Sequence, residues 1–338
     1  MKILIVKLSA FGDIIHAQPA MQDLLNHAEV SELHWLVDAR YAFATELMPK
    51  SVTVHQVALK GSQRLRHAWQ AIKQLRQERF DCVIDLQGLI KSGLIARAIC
   101  KKVYGFDASS TPEWPNHWFV HGTPFAIEER HVVQKYRHIA ALALRNPPPY
   151  FDYQAPRFAL PQTAQHDAEA RLQAYNITRN FVILHLGGGW QTKQMSLAFW
   201  QQLVKLFAQK GCQALLTWGN LQEQNLALRL VAATEAVTHE HPLNLALLGA
   251  LALQADAFVG GDTGASHLAA AVGATTITLW GPSAPWNSAP LGATHQHIES
   301  HPSCGPCFKR TCKSFVCMPS LRPQQIIDAW ERGLNAPV

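Results

Sequence analysis

Short, unbroken runs of Ile, Leu, Val and Phe recur along this chain, each followed by a segment with helical spacing. The runs fall at Lys2–Lys7, Leu33–Val37, Val52–Val57, Cys82–Leu86, Phe181–Leu186, Ala214–Trp218, Ala257–Val259 and Thr275–Trp280. A strand that is apolar at nearly every position needs both faces covered, the condition of a parallel sheet flanked by helices. Helical patterns at Arg64–Arg79, Leu89–Cys100, Val133–Leu144, Leu197–Lys210 and Leu221–Ala233 fall between them. The chain therefore reads as α/β, built from two Rossmann-like, doubly wound units. Its 338 residues suit two domains. The join is expected at Asn146-Pro147-Pro148-Pro149-Tyr150, because consecutive prolines forbid helix and resist sheet. This predicts a first domain over 1–150 and a second over 151–338, with the last helix free to pack back on the first, and a cleft between them as the site.

Composition narrows the class. Hydrophobic residues make up 48% and charged residues 16%, which describes large apolar interiors rather than a disordered chain. A net charge of +6, with 17 histidines besides, favours an anionic partner. The uncharged run Pro242–Ala255 is shorter than the roughly 20 residues that span a bilayer. The first apolar run is broken by Lys7 and lacks a cleavage site, so a cytoplasmic protein is expected.

Two loops carry the chemistry. Gly260-Gly261-Asp262-Thr263-Gly264-Ala265-Ser266-His267 follows a strand and opens an Ala-rich helix. Such glycines let backbone approach a ligand closely, and the free N–H groups of the first helical turn point at it, so the segment reads as a phosphate cradle. The plainer alternative is an ordinary glycine-rich connection. In the first domain, Lys7-Leu8-Ser9-Ala10-Phe11-Gly12-Asp13 runs from a strand end to a helix expected to begin near Ile14. Asp13 is then either a first-turn carboxylate that satisfies backbone donors or a general base at the carboxyl end of the sheet.

The start Met1–Lys7 with Gly12-Asp13, the segment Asp81–Ser92 containing Asp85-Leu86-Gln87-Gly88, and Gly261–His267 together resemble the bacterial lipopolysaccharide heptosyltransferases of glycosyltransferase family 9. The likeness runs nearly end to end. It is strongest to the heptosyltransferase I branch, through His131–His138 and Trp218-Gly219 with Glu223 five residues after the Trp. The resemblance implies a GT-B architecture, an acceptor domain followed by an ADP-heptose domain, and an inverting, metal-independent transfer onto the Kdo of the inner core (Kdo-lipid A). A second heptosyltransferase, another ADP-heptose transferase, and a non-catalytic nucleotide-sugar binder are the alternatives. The resemblance makes Asp13 the base with Ser9 beside it, and Lys193 a contact for the donor's phosphates and sugar. Gly188 and Thr192 fall in the same donor loop, Gly187–Lys193, which departs from that branch: threonines and one residue fewer are expected there. Glu223 matches a ribose-binding acid and Leu243 an apolar neighbour of adenine. Asp262, Thr263, Gly264 and His267 match the donor site. As plain alternatives, Lys193 is a solvated loop cation, Glu223 a first-turn acid, Leu243 core, and His267 a satisfied buried ring. No Asp-x-Asp triplet stands ready to hold a metal with phosphates.

Lys60, Arg64 and Arg66 lead a basic helix that also carries Lys73, Arg76 and Arg79. Usually this is a solvated face; under the resemblance the first three attract the phosphorylated lipid acceptor, with the protein peripheral on the anionic inner face of the bacterial inner membrane. No helix-turn-helix or zinc-finger pattern supports nucleic acid. Of seven cysteines, Cys82, Cys100 and Cys212 read as buried hydrophobes. Cys304, Cys307, Cys312 and Cys317 have the ligand count of a structural metal site and resemble the heptosyltransferase II branch, with four reduced thiols as the alternative. No cofactor is expected for catalysis.

Overall fold

The computed structural model describes residues 1–144, 152–177 and 180–334. It divides into two compact units, Met1–Pro156 and Arg157–Val338. The proline run at 146–150 lies outside the described residues. The division falls after it because Asp152 and Tyr153 belong to the first unit: Arg137 Nη1 donates to Asp152 Oδ2 at 3.1 Å, and the Tyr153 ring meets His131 edge-on.

In the first unit the elements are β1 (Lys2–Val6), α1 (Phe11–His16), α2 (Gln18–Leu25), β2 (Glu32–Asp38), β3 (Val52–Val57), α3 (Arg64–Gln77), β4 (Cys82–Asp85), α4 (Ile90–Ile99), β5 (Val103–Tyr104) and α5 (Val132–Leu144). The sheet order is β3-β2-β1-β4-β5, all parallel. Alternate residues of β1 serve opposite faces. Ile3 and Ile5 pack with α2 and α5, whereas Leu4 and Val6 pack with α3 and α4. α3 stops at Gln77, short of the expected Arg79, which lies at φ 55° just past the helix, a left-handed turn that ends it. The first helix starts at Phe11 rather than near Ile14, so Asp13 sits inside its first turn.

The second unit runs α6 (Gln162–Ala174), β6 (Phe181–His185), α7 (Leu197–Gln209), β7 (Gln213–Thr217), α8 (Leu221–Val231), β8 (Val237–Thr238), α9 (Leu245–Gln254), β9 (Ala257–Gly261), α10 (Gly264–Val272), β10 (Thr276–Trp280), α11 (Pro285–Ser288), β11 (His295–Glu299) and α12 (Pro323–Leu334). Its parallel sheet is ordered β11-β10-β9-β6-β7-β8. α12 buries Ile326, Ile327, Ala329 and Trp330 in this unit's own core, with the Trp330 ring 5.3 Å from Phe207 of α7. The last helix is thus part of the second unit.

In both sheets the winding direction reverses once. The reversal lies between β1 and β4 in the first and between β6 and β9 in the second, which opens a crevice at the carboxyl ends of those strands. The Ser9–Asp13, Gln87–Gly88, Gly188–Lys193 and Asp262–Gly264 segments leave from these ends.

Candidate active site

In the second unit His185 pairs with Gly260, so the loops after β6 and β9 emerge side by side. Lys193, in a 3₁₀ turn over Gln191–Lys193, reaches across to Asp262, its Nζ 2.5 Å from Oδ2 and 3.1 Å from the backbone oxygen. His267, one turn into α10, holds Oδ1 of the same carboxylate at 3.0 Å. Burial pushes the Asp262 carboxyl up, but the hydrogen bond from His267 and the Lys193 charge outweigh it and hold the group well below the ordinary carboxylate range. Asp262 is therefore a fixed anion.

Thr263 caps α10, its hydroxyl accepting from Ser266 N, and Gly264 is the first helical residue. Asp262, which holds Lys193 and His267, lies two residues before the first residue of α10. A Cβ at Gly260 would come 2.8 Å from Ser266 Oγ, whose hydroxyl donates to Gly261 O, so the close turn from β9 into α10 needs glycine.

Glu223 is 7% exposed and bridges two loops: its carboxylate accepts from Gly188 N at 3.3 Å and Gly219 N at 2.8 Å. It lies in the first turn of α8, capped by Asn220, where the helix dipole favours an acid. Leu243 is half-buried beside Asn244, the cap of α9. Thr192 is buried and its hydroxyl donates to Lys309 O at 2.6 Å, which ties the donor loop to the cysteine segment. Trp190, not singled out in the sequence, lies under the Lys193 ammonium with its ring centroid 4.2 Å away. An aromatic three residues before a loop lysine is the signal that could have found it.

In the first unit, Asp13 Oδ2 accepts from Ala10 N at 3.1 Å, and Lys7 Nζ lies 4.0 Å from the same oxygen. The Asp13 side chain is 44% exposed, whereas that of Lys7 is 3% exposed and donates to Tyr136 Oη and Leu86 O. Burial pushes the Lys7 ammonium's pKa down against the charges of Asp13 and Asp85, and pushes the Tyr136 phenol's up, in the same direction as those charges. Leu8 N and Ser9 N both donate to Gln87 Oε1, so the loop bearing Ser9 and Asp13 is pinned to the end of β4. Below it Asp85, fully buried, accepts from Gln87 N, Gly88 N, Ser92 Oγ and Asn116 Nδ2. Sequence reading passed over Lys7, Gln87 and Asn116 as site-builders; a lysine ending a buried strand was the available hint.

Lys60, Arg64 and Arg66 are exposed on and before the first turn of α3, distant in sequence from both loops. Cys82 and Cys212 are buried, and Cys100 is only partly so. Cys304, Cys307, Cys312 and Cys317 line one small cavity with Thr192 and Gly281, but their exposure differs: Cys317 is buried, Cys304 and Cys312 face solvent. Among the described residues no group of three or more His, Cys, Asp or Glu side chains is placed to hold a metal ion, so the four-ligand expectation is not carried.

Two parallel, doubly wound units are the architecture of the GT-B fold, which the solved heptosyltransferase structures share. The model of glycosyltransferase family 9 (heptosyltransferase) matches residues 68–316. The chain is 32% identical to lipopolysaccharide heptosyltransferase 1 of Pseudomonas aeruginosa, over 100% of this chain and 99% of the relative. Among solved structures, E. coli heptosyltransferase WaaC with ADP-2-deoxy-2-fluoro heptose aligns at TM-score 0.74 and 22% identity, covering 99% and 100% of the two chains. E. coli ADP-heptose lps heptosyltransferase II aligns at TM-score 0.76 and 18% identity, with the same coverage. The chain belongs to glycosyltransferase family 9, the heptosyltransferases, and is a glycosyltransferase.

Proposed function

We propose that this protein transfers a heptose from ADP-heptose to the Kdo of the lipopolysaccharide inner core, with inversion and without a catalytic metal. The observation that carries the reading is the cluster of Lys193, Asp262 and His267 at the N-terminus of α10, in a chain similar end to end to a lipopolysaccharide heptosyltransferase 1.

The chemistry follows from the side chains. The departing diphosphate gains negative charge, which the α10 N–H groups of Thr263 and Gly264 and the Lys193 ammonium stabilise in place of a divalent ion. Lys193 is a compact charge on a flexible stem, so it can exchange part of its contact with Asp262 for a phosphate oxygen. Asp262, held ionised, accepts from sugar hydroxyls, while Glu223 accepts from the ribose and Leu243 covers adenine. On the first unit Asp13 takes the proton of the attacking acceptor hydroxyl, and inversion needs only this one base. Ser9 lines the same loop. Lys60, Arg64 and Arg66 attract the acceptor's phosphates, and the protein works from the cytoplasmic face of the inner membrane as a peripheral enzyme.

Incubation with ADP-heptose and either Kdo-lipid A or its mono-heptosylated product tests this. A heptose mass gained by Kdo-lipid A is the expected result. Gain only by the second acceptor would make the protein a second heptosyltransferase. Tight ADP-heptose binding with no gain on either would leave a nucleotide-sugar-binding protein.

A further inference from the structure

The first unit holds a group of large apolar side chains in water on a rigid mount. The 3₁₀ turn Trp114–Trp118 leaves Trp114 56% and Trp118 64% exposed, with ring centroids 5.3 Å apart and the His117 ring 4.5 Å from that of Trp114. Between them Asn116 is fully buried, its Nδ2 donating to Asp85 Oδ2 and to Leu89 O, each at 2.8 Å. Glu113, just before the turn, accepts from Ile90 N at 2.8 Å. A Cβ at Gly93 would lie 2.6 Å from Asn116 Nδ2, so glycine admits the turn against α4. The backbone is thus anchored to the same Asp85 network that supports the Asp13 loop, while both indoles point outward.

The neighbouring helices also carry exposed apolar and basic side chains. α4 packs against the turn and α3 against α4. α4 exposes Ile90 and Leu94, one turn apart, with Lys91 and Arg97 also exposed. α3 exposes Leu65 and Trp69, the latter under the Lys73 ammonium at 5.5 Å, among exposed Arg64, Arg66 and Arg76. Glu113 is the acid within the turn's lead-in, and its carboxylate is already engaged by Ile90 N.

The composition selects the partner. A protein-binding core is depleted of lysine, whereas here cations are interleaved with exposed indoles and aliphatic side chains. Indole rings settle at the headgroup level of a bilayer, and basic side chains beside them are drawn to anionic lipid. We propose that Trp114 and Trp118, with Ile90 and Leu94 and the basic α3–α4 face, seat this protein on a bilayer surface containing anionic phospholipid. The inference rests on the reading of the enzyme as peripheral on a membrane and names the surface that does it.

The test uses the full chain with phosphatidylcholine vesicles, with and without phosphatidylglycerol, some carrying brominated acyl chains that quench indole fluorescence. Wild type is expected to partition onto phosphatidylglycerol vesicles with quenching. The double variant Trp114→Gln, Trp118→Gln should keep its melting temperature, weaken partition by about tenfold or more, and lose most of the quenching. Its kcat/KM should fall for a lipid acceptor in vesicles and stay unchanged for a soluble acceptor sugar lacking acyl chains. Wild-type partition by this variant, equal loss on the soluble acceptor, or tighter binding of wild type to a single-stranded oligonucleotide than to vesicles would each overturn the proposal. If Arg64→Glu, Arg66→Glu alone weakens partition, the membrane reading stands and the aromatic ledge falls. If wild type binds no vesicle, both fall.

Discussion

Lys193 Nζ lies 2.5 Å from Asp262 Oδ2, and the two side chains come from loops that follow different strands, β6 and β9. They meet because those strands are hydrogen-bonded neighbours across the winding reversal, although the residues are 69 positions apart in the chain. The pair presets a cation beside the residue that precedes the cap of α10, the place where the proposed reaction's leaving diphosphate would need one.

Replacing Lys193 with Met keeps most of the stem and removes the charge. The expected outcome is a loss of about a hundredfold in kcat, the scale of removing one preorganised electrostatic contact, with weaker ADP binding by calorimetry. An unchanged kcat would take Lys193 out of the chemistry.

Glu223 is expected to act on binding rather than rate. Glu223→Gln keeps one acceptor oxygen but replaces the other with a donor facing Gly219 N or Gly188 N. The KM for ADP-heptose should rise severalfold with little change in kcat. A 2′-deoxyribose donor should feel the substitution less, and an equal response to both donors would contradict a ribose contact.

Gly88 provides a stability test in the first unit. It lies at φ +70°, and a Cβ there would come 2.5 Å from Pro112 Cδ. Gly88→Ala should cost about 2 kcal/mol, combining left-handed strain with the displaced proline ring. Denaturant titration checks it, and a loss under about 0.5 kcal/mol would mean the loop relaxes freely.

Acid should destabilise the second unit through its buried histidines. Burial pushes His185, His239 and His295 each down to about 4, with His239 adding to the shift of His185, Arg171 to that of His239 and His297 to that of His295. His239 is held neutral by its bonding: its Nε2 accepts from Trp218 N while Nδ1 donates to His241 O. The unfolded chain protonates these rings near 6.5, so it binds more protons between about pH 6.5 and 4. Stability is full above that window and is lost as pH falls through it; Asp256, pushed up by burial, acts in the opposite sense. The melting temperature should drop from pH 7 to pH 5, and a flat or rising profile would contradict these buried neutral rings.

The central strands were legible because β1, β4, β6 and β9 are apolar on both faces. The edge strands were not: β5 and β8 are two residues each, and β11 reads His-Gln-His-Ile-Glu, half in water with no apolar pattern. At the site, the glycine turn before α10 announces itself locally. The pairing of Lys193 with Asp262, the hold of Gln87 on Leu8 and Ser9, and Asn116 inside the Asp85 network are tertiary meetings of polar residues with no periodic signature. Thr192 shows the reverse: read as a donor contact, its hydroxyl is engaged by Lys309 O.

The most direct test of the account is the turnover of Asp13→Asn on ADP-heptose and Kdo-lipid A, measured beside a calorimetric titration with ADP-heptose. The substitution keeps the acceptor oxygen that meets Ala10 N and removes the basicity, together with the carboxylate charge 4.0 Å from Lys7 Nζ. The account predicts donor affinity within about twofold of wild type and a kcat lower by at least about a hundredfold, the usual scale for a positioned base. Turnover near wild type would contradict it.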